Sequence, residues 1–297
     1  MSAGALPPDP QAVRDIVARA LGEDRAWQDV TTRALVPPDQ QGRGVFLFKQ
    51  QGLRQEGVVC GLDIVREIFA QMSAQLALEI VRPDGSAVAA AQTIAVVSGP
   101  LAPMLSGERV ALNFLQRLSG VATLTRSFVR RAAEGGASQL LDTRKTTPGL
   151  RELERYAVRV GGARNHRDTL QDGLLIKDNH IAAAAQRGID VAELVRRARA
   201  GAPHTLRVEV EADDAQAARA AVEAGAEVVL LDNMNPDEMR GVIESCGRDD
   251  VLFEASGGIT LETVRDVAAS GVHLISAGAL THSAPALDIS LDIDAGA

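Results

Sequence analysis

Arg144, Lys145, His166, Arg167 and Lys177 crowd around the stretches QLLDTRKTTPGL, VGGARNHRDTL and LLIKDNH. Guanidinium groups grip carboxylates in bidentate fashion and ammonium groups meet phosphates as point charges, so this set suits a ligand bearing several negative charges. Glu211 closes LRVEVE and Asp232 closes VVLLD. Two carboxylates beside a phosphate site point to Mg²⁺ held partly through water and partly by the ligand. Glu209 lies two residues before Glu211 and shares its face of an extended strand, so spacing alone leaves both open. FEASGGIT and LISAGALT each run from an apolar stretch through glycine into helical spacing. Backbone N–H groups around Ser256, Gly257 and Gly258, and around Ala277, Gly278 and Ala279, are therefore candidates to hold a phosphate. His180, His273 and His282 lack ligand-like spacing and read as local hydrogen-bonding residues. No Ser/His/Asp arrangement points to a protein nucleophile.

These groups need a scaffold that gathers strand ends. Leu141, Leu175, Val208, Leu230, Phe253 and Ile275 mark six short apolar runs, at spacings of 34, 33, 22, 23 and 22 residues. A βα repeat of that size argues for a parallel α/β barrel, in which charge at the C-terminal end of a buried strand marks the active-site face. The two glycine-bearing ends fall at the last two strands, the common phosphate position of that fold. Upstream, Val13, Ile16, Val17 and Ala20 share one face of a helix that follows Pro10, and DVTTRALVPPDQ reads as a loop. Strand-like runs between residues 43 and 99, with a helix over 62–72, describe a small α+β domain. Pro103 suits a helix start, and Leu105, Leu112, Leu115 and Leu118 keep one apolar face to about Arg131, giving a helix that connects two domains.

Composition narrows the choice of ligand. The chain has 297 residues, room for two cores, and a formal charge of −8 with 3% aromatic residues. It has neither the basic footprint nor the stacking platforms of a nucleic-acid binder, so a polyanion must be met by local cations. Cys60 and Cys246 have no zinc-like or disulfide spacing, which suits a reducing, cytoplasmic setting. MSAGALPPDP lacks the features of an export signal, and no stretch approaches the roughly 18 apolar residues of a membrane span. A soluble protein without a membrane partner is expected.

The motifs GERVALNFLQRLSGVAT, LLDTRKTTPGLRELERYAVRVGGARNHR, LLIKDNHI, LLDNM and FEASGGI resemble those of quinolinate phosphoribosyltransferases, the decarboxylating nicotinate-nucleotide pyrophosphorylases. The resemblance runs from DVTT at 29–32 to THS at 281–283 and is densest over 107–180. It implies an α/β fold with an N-terminal α/β sandwich domain, residues 1–114 with a C-terminal return at 283–297, and an incomplete parallel α/β barrel over 115–282. It also implies a homodimer with shared active sites, open to higher assembly, in which Arg109 reaches the neighbouring subunit's site to grip a quinolinate carboxylate. Thr143, Arg144, Lys145, His166 and Arg167 complete that pocket, and Lys177 stands between quinolinate and the phosphoribosyl donor. Glu211 matches the family's acidic position because it lies 21 residues before Asp232. Both would serve the ribose hydroxyls and Mg²⁺, directly or through water, and with Lys145 and Lys177 would form the catalytic set. Ser256, Gly257, Gly258, Ala277, Gly278 and Ala279 match the 5′-phosphate loops. The implied reaction converts quinolinate and phosphoribosyl pyrophosphate to nicotinate mononucleotide, pyrophosphate and CO₂ in de novo NAD biosynthesis. The alternative is a related phosphoribosyltransferase acting on another aromatic acid or in molybdenum metabolism; a third reading is a non-catalytic phosphosugar-binding barrel.

Overall fold

A computed structural model of the chain describes residues 5–49 and 56–294. Two compact units emerge: residues 1–126, 146–162 and 283–297 form the first, and residues 127–145 and 163–282 form the second. The first four residues of the expected N-terminal domain and the last three of its return lie outside the described residues.

In the first unit, the Asp9 carboxylate accepts from the Gln11 and Ala12 amides and Pro10 fills the opening position, so α1 (Pro10–Glu23) begins there. The DVTT segment is not all loop. Asp29 accepts from the Thr31 and Thr32 amides and starts α2 (Val30–Leu35). Its threonines favour turns by composition, and the capping aspartate was the signal for a helix. The strands β1 (Gln41–Phe48), β2 (Gly57–Val58), β3 (Ala77–Ile80), β4 (Ala87–Val88) and β5 (Thr93–Pro100) follow, with α3 (Leu62–Met72) between β2 and β3. The returning tail supplies the edge strand of an antiparallel sheet ordered β12-β1-β5-β3, where β12 is Ile289–Asp294. Leu62, Ile64, Val65, Ile68 and Phe69 form the buried face of α3, and Phe69 meets Phe46 of β1 at 6.1 Å between ring centroids.

The helix α4 (Leu101–Ala133) runs unbroken for 33 residues. The expected boundary at 114 and 115 falls inside it, and so does the division between the two compact units, which comes after Arg126. Segment 146–162, which the sequence assigned to the barrel, also joins the first unit through α5 (Arg151–Gly161). Its buried polar groups find partners there. Tyr156 Oη donates to Asp84 Oδ2 at 2.8 Å, and Arg117 pairs with the fully buried Glu154 at 2.7 Å. Glu154 also accepts from Thr147, through the amide at 2.9 Å and the hydroxyl at 2.8 Å. These motif residues therefore build the first unit.

The second unit contains β6 (Gln139–Leu141), β7 (Leu174–Ile176), β8 (Val208–Ala212), β9 (Val228–Asp232), β10 (Leu252–Ser256) and β11 (Leu274–Ser276). The helices α6 (Asp178–Ala185) and α7 (Val191–Gly201) lie between β7 and β8 in sequence, and α8 (Ala215–Glu223), α9 (Pro236–Cys246), α10 (Val264–Ala268) and α11 (Ala279–His282) follow the last four strands. All six expected strands are present, parallel, and ordered β6-β11-β10-β9-β8-β7. Each strand from β8 to β11 lies beside its predecessor, while β6 sits against the last strand. That order is what a sheet curling into a barrel gives. Among the described residues β6 and β7 share no ladder, so the barrel is incomplete; Arg164 instead bridges to Leu141 at that edge. Among the described residues no helix is long and apolar enough to cross a membrane.

Candidate active site

Strand alternation decides which residues meet. On β8 to β11, Val208, Val210, Val229, Leu231, Phe253, Ala255 and Ile275 are buried on one face. The residues between them turn to the other face. There a cavity of about 390 Å³ gathers Thr143, Arg144, Lys145, His166, Arg167, Lys177, Glu211, Asp232 and Ser256, all named from the sequence, together with Glu254 and Ser276. Gly257 and Gly258 continue the loop after Ser256. Arg109 is exposed on α4 and belongs to the first unit.

The cationic end is built on Asp142, which is fully buried at the end of β6. Its Oδ1 accepts from the His166 amide at 2.8 Å and its Oδ2 from Asn165 Nδ2 at 2.6 Å, fixing the NHR segment beside the strand. His166 Nδ1 accepts from the Arg167 amide at 2.7 Å, and its Nε2 stands 3.3 Å from Glu209 and 3.6 Å from Glu254. Arg167 donates through Nη1 to the Gly173 carbonyl at 2.8 Å. Burial lowers the Arg167 guanidinium pKa, and the neighbouring charge of Arg144 lowers it further. Two guanidinium groups in this relation are relieved when an anion lies between them.

Glu254 was missed by the sequence reading, although it sits two residues before Ser256 and therefore shares its face. Burial, followed by the charge of Glu209, pushes its carboxyl up to about 7. Burial of His166 works toward the neutral ring; the hydrogen bond to Glu209 and the charges of Glu254 and Glu209 outweigh it and raise the pKa. His166, Glu209 and Glu254 together have donor types that could hold a cation, with their ligand atoms within 4.8 Å of one another. The Arg167 amide decides against that use. It points at Nδ1, which must therefore carry a lone pair, and the neutral ring then bears its proton on Nε2, facing the carboxylates as a donor.

The acidic end lies on β8 and β9. Lys177 Nζ is 3.3 Å from Glu211 Oε2, and the Lys177 amide donates to His180 Nδ1 at 2.9 Å at the start of α6. His180 and His273 are local hydrogen-bonding residues, the latter accepting from the Phe253 amide at 3.0 Å. Asp232 Oδ2 accepts from Asn233 Nδ2 at 2.7 Å. Asn233 is left-handed, at φ 58°, and its amide donates to the Ser256 carbonyl at 2.9 Å. Gly257 has φ 92°, and a Cβ there would lie 2.2 Å from Asn233 Oδ1, so glycine is required by both conformation and space. In the other loop the Ala277 amide donates to the Leu141 carbonyl at 3.0 Å, extending the ladder, and so does not serve as a phosphate donor as the sequence suggested. Gly278 and Ala279 carry the turn into α11, which Thr281 Oγ1 ties to the Lys145 carbonyl at 2.8 Å.

An incomplete parallel barrel whose strand ends present cations and paired acids to one cavity, with glycine turns following the last two strands in sequence, is the architecture of an α/β-barrel enzyme. The chain belongs to the quinolinate phosphoribosyltransferase family: the family's N-terminal domain matches residues 29–119 and its C-terminal domain residues 121–292. A probable nicotinate-nucleotide pyrophosphorylase (carboxylating) of Bacillus subtilis (strain 168) is 44% identical over 240 residues, covering 81% of each chain. The nicotinate-nucleotide pyrophosphorylase (carboxylating) of Homo sapiens is 42% identical over 243 residues, covering 81% of this chain and 80% of the relative. The structure of the nicotinate-nucleotide pyrophosphorylase from Francisella tularensis superposes with a TM-score of 0.87 at 32% identity, over 99% of this chain and 100% of that one.

Proposed function

We propose that this chain is a pentosyltransferase that joins quinolinate to phosphoribosyl pyrophosphate, releasing pyrophosphate and CO₂ and leaving nicotinate mononucleotide for NAD biosynthesis. Family membership supports the reaction. The observation that carries it is the convergence of Arg144, Lys145, Arg167 and Lys177 on one cavity with Glu211 and Asp232. Arg144 and Arg167 suit a rigid dicarboxylate, which two planar forks hold better than a single carboxylate can be held. Lys145 and Lys177 neutralise negative charge on the leaving pyrophosphate as positive charge develops at the anomeric carbon. Glu211 and Asp232 face the ribose hydroxyls, and the turns at Gly257, Gly258, Gly278 and Ala279 receive the 5′-phosphate.

Glu211 and Asp232 are hard oxygen donors on neighbouring strands and fit Mg²⁺, which would supply further charge neutralisation at the pyrophosphate. The ring nitrogen of quinolinate forms the new bond to carbon. The resulting cationic nitrogen stabilises the carbanion left when the adjacent carboxylate departs as CO₂, and a proton from water then replaces the carboxylate on that carbon, so no protein nucleophile is needed. His166 has both ring nitrogens directed at protein partners, and its part here is to hold the pocket wall. The reading includes a homodimer, with Arg109 serving the neighbouring subunit's pocket, and a cytoplasmic setting suited to the free thiols of Cys60 and Cys246.

The alternative acceptor is tested directly by offering quinolinate and nicotinate in parallel, each with phosphoribosyl pyrophosphate. Nucleotide from quinolinate alone is expected. Nucleotide from nicotinate and none from quinolinate would contradict the proposal.

A further inference from the structure

Glu209 is the acidic residue that strand spacing could not assign. It is nine-tenths buried, and its Oε1 finds no protein hydrogen-bond partner. Keeping a carboxylate in such a place costs stability, and a leucine of similar volume would pack more cheaply. Its Oε2, however, lies 3.3 Å from His166 Nε2.

The Arg167 amide donates to His166 Nδ1 at 2.7 Å, so that nitrogen keeps its lone pair and the neutral ring carries its proton on Nε2, where Glu209 Oε2 stands to accept it. Were the proton on Nδ1 instead, two N–H groups would confront each other at that distance, and the Arg167 main chain would have to move. Asp142 already holds the His166 amide, so the displacement would pass to Arg167 and its guanidinium. Glu254, 3.6 Å from the same nitrogen, adds negative charge on the side where the proton sits.

We propose that Glu209, supported by Glu254, is a positioning residue: it fixes the His166 proton on Nε2, and through Nδ1 the ring sets the main chain of Arg167 and the aim of its guanidinium at the ligand carboxylate. The consequence for the ligand rests on the quinolinate-binding role proposed above for Arg167; the tautomer does not. Glu209 and Glu211, on one face of β8, thus serve different partners, the first the carboxylate clamp and the second Lys177.

The test uses the full chain with ¹⁵N-labelled histidine, the His166 signal being identified by its loss in His166→Gln. At a pH raised until the His166 signal no longer changes, so that the ring is neutral, the wild type is expected to show His166 protonated on Nε2. Glu209→Leu should shift the ring toward the Nδ1–H form and raise KM for quinolinate about tenfold or more, with KM for phosphoribosyl pyrophosphate little changed. Glu209→Gln, whose amide oxygen can still accept from Nε2, should restore most of both properties. Wild-type His166 protonated on Nδ1, or Glu209→Leu with an unchanged tautomer and unchanged quinolinate KM, overturns the proposal; the wild-type spectrum decides even if Glu209→Leu fails to fold. Wild-type protein inactive on quinolinate would instead remove the functional reading and leave the tautomer measurement intact.

Discussion

Arg144 and Arg167 press like charges together at the edge of a cavity, an arrangement that a bound dicarboxylate turns from a cost into an attraction. Arg144→Ala should therefore raise KM for quinolinate, with a loss on the order of 2 to 4 kcal/mol, while KM for phosphoribosyl pyrophosphate stays close to wild type. Steady-state kinetics with each substrate varied in turn checks this, and unchanged kinetics would take Arg144 out of the pocket. Glu254 makes a prediction of a different kind. Its carboxyl ordinarily titrates near 4.5 and is pushed up to about 7 in the fold. Between those values the folded chain holds a proton that the unfolded chain has lost, so stability from this group is full at low pH and falls as pH rises through about 7. Glu254→Gln keeps the shape and removes the titration. Relative to wild type it should gain stability between about pH 5 and about pH 8, read from urea midpoints; a constant offset at both pH values would contradict this.

Elements were legible wherever hydrophobic pattern and charge agreed. Six apolar runs ending in charge or glycine became six parallel strands, and the α3 span was readable from its apolar face alone. What escaped depends on contacts that no local pattern carries. Segment 146–162 follows a barrel strand, yet Glu154 and Tyr156 find their partners on Arg117 and Asp84 in the first unit. Glu254 was hidden as a single acid in an apolar strand, and its meaning appeared only when β10 placed it beside His166 and Glu209. The turn after β10 shows how tightly an element can specify one residue. Gly257→Ala meets both a left-handed φ and Asn233 Oδ1, so it should cost about 1 to 3 kcal/mol of stability and raise KM for phosphoribosyl pyrophosphate more than KM for quinolinate. Thermal unfolding and kinetics together check it, and wild-type values in both would show that the turn has room to spare.

At the scale of the molecule, a chain of net charge −8 concentrates its useful cations in one cavity and leaves Arg109 exposed on the long helix. If Arg109 serves a second copy, Arg109→Ala and Lys177→Ala subunits, each inactive alone, should form heterodimers with one intact site and about half of wild-type activity. Inactive heterodimers of verified composition would argue against a shared site. The central claim is that cations, acids and phosphate turns cooperate in one decarboxylating transfer. Its most direct test follows CO₂ and pyrophosphate together in protein supplied with quinolinate, phosphoribosyl pyrophosphate and Mg²⁺. The account predicts equal amounts of the two, dependent on quinolinate and abolished by chelation. Pyrophosphate without CO₂, or neither product under these conditions, would contradict it.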